Sequence, residues 1–195
     1  VDRERSLQSL MTTNLLKRLE SSVESFRLTM RTLKSNHASV LSQIDQYNKS
    51  GIGAVGDVTE KFSGMDADDD DFDFAGMQTT GGKIQVSFAD MDLNSWENDL
   101  KNDLALINIL LDSMEKITPE EDTKLQHIKG IIENKINAPI NSGNKKVLVF
   151  TAFADTATYL YDNLSQYFLK SYGLNSGKVT GQDAPKATMG KGYDF

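Results

Sequence analysis

Residues 145–164 read KKVLVFTAFADTATYLYDNL, and the fold of the chain turns on them. Val147, Leu148, Val149 and Phe150 form a short, wholly apolar run between turn signals, the pattern of a parallel strand covered on both faces. Ala157, Leu160, Tyr161, Leu164 and Phe168 then recur at helical spacing, with Asp155 as the expected N-cap and Gly173 placed to end the helix. Lys178, Val179 and Thr180 read as a second strand, so residues 145–195 spell strand, helix, strand. Two strands and one helix leave both sheet faces and both edges uncovered, so this part is expected to be the start of a larger α/β domain. The final GQDAPKATMGKGYDF carries little pattern.

Upstream the period is helical throughout. From Leu19 the apolar positions Val23, Phe26, Met30, Leu33, His37, Val40, Ile44 and Tyr47 alternate steps of four and three, a heptad seam. No glycine or proline precedes Gly51, so one helix is expected over residues 5–48. Leu93, Trp96, Leu100, Leu104, Ile107, Leu111 and Met114 form a second stripe to cover the first, giving an antiparallel helical hairpin. A third helix follows Pro119, Glu120, Glu121 and Asp122, carries Leu125, Ile128, Ile131, Ile132 and Ile136, and ends before Pro139.

The expected fold class is therefore mainly α with a partial α/β part. Residues 1–50 supply the long helix, 51–91 an acidic Gly/Asp-rich insertion, partly disordered with an expendable tip, and 92–118 the returning helix. Residues 119–144 form a linker helix and loop, and 145–195 the truncated α/β part.

Charge is distributed unevenly. The net formal charge is -7, yet residues 1–34 carry seven basic and four acidic groups, 57–122 four and eighteen, and 123–195 nine and five. Acidic side chains repel phosphates, so nucleic-acid contacts are expected on the two flanks. The absence of cysteine excludes disulfides, cysteine zinc sites and thiol catalysis, and suits a cytoplasmic protein. No run approaches the roughly eighteen apolar residues of a membrane span. The opening VDRERSLQSL lacks the core of a signal peptide. It has no methionine and reads as mid-helix sequence, as expected for a piece of something longer.

Several chemistries can be tested against spacing. A phosphate loop needs Gly, four residues, then Gly-Lys-Ser/Thr. The pairs Gly82-Lys83, Gly177-Lys178 and Gly190-Lys191 are followed by Ile84, Val179 and Gly192, with Met77, Tyr172 and Pro185 at the required upstream glycine. None qualifies. No arginine follows Arg31, so the α/β part offers no arginine finger. Asp66, Asp68, Asp70 and Asp71 suggest a calcium loop, but Asp71 and Met77 stand where glycine and glutamate are needed. The stretch reads better as a solvated acidic loop. His37 sits on the seam as a register-setting polar residue, and neither it nor His127 has a nucleophile partner. Trp96 and the seam aromatics read as core.

The stretches KKVLVFTAFADTATYLYDNL (145–164) and GKVTGQ (177–182) resemble the opening of the second RecA-like lobe in SWI/SNF-like superfamily-two helicases. DTKLQHIKGII (122–132) resembles that lobe's lead-in helix, and NLLKRLESSVESF (14–26) the helical segment after the first ATPase lobe in bacterial members. The likeness covers residues 5–48 and 93–182; the acidic insertion does not align. The family commonly has serine where Thr151 and Ala152 stand.

The resemblance implies the middle of an ATP- and Mg-dependent, DNA-stimulated motor: a helical protrusion and an incomplete RecA-like βαβ unit. Its P-loop and acidic box would lie upstream and its arginine fingers downstream, so this chain alone would bind no cofactor and hydrolyse no ATP. Motif matching carries nucleic-acid contact onto Thr151, Ala152 and Phe153 at a strand end and onto Gly181, where ligands sit in open α/β sheets. Lys145 and Lys146 would add diffuse phosphate attraction. Phe150, Phe153 and Gly181 have plainer readings as core and turn. A protrusion packed within one chain predicts a monomer. The rival reading, a coiled-coil interaction module without enzymatic parentage, predicts a concentration-dependent dimer.

Overall fold

The computed structural model describes residues 2–51, 54–56, 85–181 and 183–189. Among them are five α-helices, α1 (Asp2–Ser21), α2 (Val23–Ser50), α3 (Leu93–Glu115), α4 (Thr123–Asn137) and α5 (Ala154–Tyr172). There are also two antiparallel strand pairs, β1 (Ala54–Gly56) with β2 (Gln85–Ser87), and β3 (Gly177–Lys178) with β4 (Lys186–Ala187). The protein is mainly α, as its periodicity requires. No described helix is long and apolar enough to cross a membrane.

The chain divides into two compact units, one of Val1–Lys17 with Phe26–Lys116 and one of Arg18–Ser25 with Ile117–Phe195.

In the first unit the two stripes meet as an antiparallel pair. Phe26 and Met30, early in α2, pack with Ile107 and Leu111, late in α3. Ile44, late in α2, packs with Leu100, flanked by Leu93 and Trp96 early in α3. Apolar burial along the shared seam holds the pair together. Arg27 donates to the Met114 carbonyl at 2.7 Å, where the last turn of α3 also receives the Lys116 N–H. Arg31 pairs with Glu115. His37 stays structural: its Nδ1 lies 2.8 Å from the Leu33 carbonyl and its Nε2 3.8 Å from Asp103.

The insertion departs from the expectation of an aperiodic excursion at its two ends. Ala54, Val55 and Gly56 pair with Ser87, Val86 and Gln85, closing its base. A short 3-10 turn, Phe88–Asp90, follows, with the Ser87 hydroxyl accepting from the Ala89 N–H. Phe88 is among the most buried side chains and packs edge-on to Tyr47 with ring centroids 5.4 Å apart. Residues 57–84, including the four aspartates of the rejected calcium loop, lie outside the described residues.

In the second unit α4 and α5 share a core of Leu125, Ile136, Leu164 and Phe168. Asp122 caps α4 by accepting from the N–H groups of Lys124 and Leu125, both at 3.0 Å. Gly173, at φ 64°, ends α5 in the left-handed conformation that glycine adopts without steric cost.

Four expectations are corrected here. The single helix over 5–48 is two helices interrupted at Ser22. Asp155 is not the N-cap of α5; Phe153 occupies that position without a side-chain cap, and Asp155 lies in the first turn, paired with Arg18 at 2.8 Å. The run Val147–Phe150 forms no strand: it carries no regular structure and is exposed, Leu148 and Phe150 being 83% and 88% accessible. Finally, Gly177–Lys178 pairs antiparallel with Lys186–Ala187, inside the stretch expected to lack pattern. The reason is common to the last two. A strand needs a neighbour, and the one that β3 has comes from its own hairpin.

Candidate functional site

The residues singled out for nucleic-acid contact fall around the start of α5. Thr151 is half-buried and its hydroxyl donates to the Phe153 carbonyl at 2.7 Å, a local turn that fixes the chain entering the helix. Phosphate oxygens accept only, so this hydroxyl must leave the Phe153 carbonyl before it can donate to a phosphate. Ala152 is exposed beside it. Phe153 is buried, with the Arg18 guanidinium 4.8 Å from its ring centroid, so its face is already taken by a cation–π contact. The plain reading of Phe153 as core is right. For Phe150 it is reversed, since that ring is open to solvent.

Lys145 and Lys146 are exposed, and the Lys146 N–H donates to the Asn144 side chain at 3.1 Å. Gly181 is exposed on the connection between β3 and β4. Among the described residues no hydrogen bond joins Gly181, Lys145 or Lys146 to the Thr151–Phe153 turn. Lys145 and Lys146 lie on the same connection between α4 and α5 as Thr151, Ala152 and Phe153, and Gly181 lies on the connection between β3 and β4.

Two features near this turn escaped sequence reasoning. Lys178 is buried; its ammonium donates to Thr158 on α5 at 2.7 Å and to Asp183 at 2.9 Å. The hydrogen bond and charge of Lys178 hold the Asp183 carboxyl below its ordinary range. This tie fastens the hairpin carrying Gly181 to the second turn of α5. The Gly-Lys pair at 177–178, dismissed as a phosphate loop, was the available signal.

The second feature is a buried polar cluster. Thr156, in the first turn of α5, lies 2.8 Å from the Ser21 hydroxyl and 2.9 Å from that of Ser22. Arg18 reaches Asp155 at 2.8 Å and Ser25 at 3.4 Å. Arg18, Ser22, Ser25 and Thr156 are all buried. Buried polar groups persist when hydrogen-bonded, and these satisfy one another. The only hint in sequence was the run of polar residues in NLLKRLESSVESF.

Among the described residues no cluster of three or more histidine, aspartate or glutamate side chains could hold a metal ion. Compared with protein-family models, curated proteins and solved structures, the chain matches none.

Proposed function

We propose that this chain is the inter-lobe segment of an ATP-dependent, DNA-stimulated helicase or translocase of the SWI/SNF-like kind. The observation that carries the reading is the state of Val147–Phe150. Four consecutive apolar residues lie outside any helix or strand with their side chains accessible, and among the described residues no backbone hydrogen bond pairs them. Fully burying a leucine or phenylalanine is worth roughly 1.5–3 kcal/mol, so a strand of this composition favours a sheet that covers it. That is the need of the first strand in an α/β lobe whose other strands lie elsewhere in the protein.

In this reading the paired helices α2 and α3 form a protrusion, and residues 145–189 open the second lobe. The whole protein binds ATP and Mg between its lobes and moves along DNA. Thr151 and Ala152, at the end of the apolar run, face the DNA path with Gly181, and Lys145 and Lys146 add charge attraction. Phe153 positions the turn from below. The chain by itself turns over no ATP, with or without DNA, because it lacks a phosphate loop and an arginine finger.

The reading frame on either side of the coding segment tests this. The expected result is a Gly-x-x-x-x-Gly-Lys-Ser/Thr loop and an acidic box upstream, and a Gln-x-x-Gly-Arg-x-x-Arg stretch downstream. A frame that closes at both ends of the present chain contradicts it.

One observation favours the rival, a helical interaction module. Leu106, Ile109 and Leu110 are exposed at i, i+3, i+4 spacing on α3. Light scattering across a concentration series separates the readings: a protrusion stays monomeric, and an adaptor dimerises through this stripe and loses the dimer on Ile109→Lys.

A further inference from the structure

The heptad positions Leu19, Val23, Phe26 and Met30 run through residue 22 without a break, and residues 1–50 hold neither glycine nor proline. Local sequence therefore encodes one helix, yet the helix is interrupted at a single residue, Ser22. The interruption coincides with the residue that α5 grips.

The bonding at that point links the helix break to α5. The Ser22 N–H still donates to the Arg18 carbonyl at 3.1 Å, so the ladder of α1 reaches Ser22. The Ser22 hydroxyl then accepts from the Ser25 N–H at 3.0 Å, the side-chain cap that starts a new helix. Having accepted there, it is free to donate its proton to Thr156 at 2.9 Å, and Thr156 can pass its own to Ser21 at 2.8 Å. The partner lies 134 positions along the chain. Arg18, one turn before Ser22, is held on the same element by Asp155.

We propose that Ser22 and Thr156 form a latch that interrupts an otherwise continuous helix. With the latch closed, residues 2–50 are two helices; with it open, the Ser22 hydroxyl loses its anchor and the segment becomes one. Thr156 lies three residues beyond Phe153, in the turn that begins α5. A displacement of the Thr151–Thr156 segment, by whatever binds there, is thereby read out as a change of helix continuity at residue 22. The device stands on these contacts alone and does not require the helicase reading.

The test is the Cα chemical shift of Ser22 and Val23 by NMR, in the full 195-residue chain, for the wild type, Thr156→Val, Thr156→Ala and Thr156→Ser. The expected result is a non-helical shift at Ser22 in the wild type and in Thr156→Ser, which keeps the hydroxyl. A helical shift is expected in Thr156→Val. Thr156→Ala gives the same readout if the valine variant does not fold. A non-helical Ser22 in a folded variant lacking the hydroxyl, or a helical one in the wild type, overturns the proposal.

Discussion

The Asp122 carboxylate joins two helices: it caps α4 through Lys124 and Leu125, and its second oxygen accepts from the Tyr159 hydroxyl on α5 at 3.0 Å. The group is buried, so each bond is made without competition from water. Asp122→Ala removes the cap and the hydrogen bond from the Tyr159 hydroxyl together. The expected loss is about 2 kcal/mol, from cap removals of roughly 0.5–2 and a hydrogen bond to a charged group of roughly 1.5–3, offset in part by relaxation. Urea unfolding measures it, and Tyr159→Phe should cost less because the cap survives.

Phe88 lies where the insertion returns to the helical pair, against Tyr47 and Trp96. Truncating so buried a ring leaves a cavity that fixed helices close only in part. Phe88→Ala should destabilise the chain by about 3–5 kcal/mol and shift Trp96 emission toward that of exposed indole.

The pairing of Gly56 with Gln85 makes the insertion replaceable. An Asn-Gly turn in place of residues 57–84 matches the two-residue hairpin connection that right-twisted strands favour. The shortened chain should keep its helical circular dichroism and thermal midpoint. A collapse of either would show that the excised residues support the fold.

Acid and alkaline titrations should expose two ties in the second unit. Because Lys178 lowers the carboxyl of Asp183, this pair contributes stability above the ordinary aspartate value of 3.8 and loses it as pH falls through the lower folded value. Asp183→Asn should flatten that acid limb in thermal unfolding. Tyr167 moves the other way, pushed up to about 12 chiefly by its hydrogen bond to Glu133, then by desolvation. Its contribution is full below the ordinary phenol value of 10.0 and is lost as pH rises through about 12. Ultraviolet titration should find a late phenol that disappears in Tyr167→Phe.

Local and near-local signals were legible in the sequence. The seam from Leu19 to Tyr47 and the stripe from Leu93 to Met114 mark the helical pair, because each encodes its own burial. Asp122 and Gly173 bound α4 and α5 as cap chemistry dictates. What escaped was set by distant partners. Ser22 interrupts a good helix because Thr156 holds it, and no window around residue 22 contains Thr156. The apolar run at 147–150 has strand composition without a neighbour to pair with among the described residues, whereas β3 and β4 find each other across pairs too short to leave a periodic trace. Phe88 joined the core from a stretch with no period at all. At the candidate site, Thr151 was expected at the end of a strand and instead lies in the turn that leads into α5, while the buried roles of Arg18 and Lys178 depended on three-dimensional pairing.

In the proposed motor, Val147–Phe150 enters the sheet of one lobe. The most direct measurement is steady-state ATP turnover by the intact gene product, with and without duplex or single-stranded DNA, beside the same protein carrying Leu148→Asp and Phe150→Asp. The account predicts turnover that rises with DNA and is lost when the run can no longer enter a sheet. Turnover by neither protein, or turnover indifferent to both DNA and the substitutions, would contradict it.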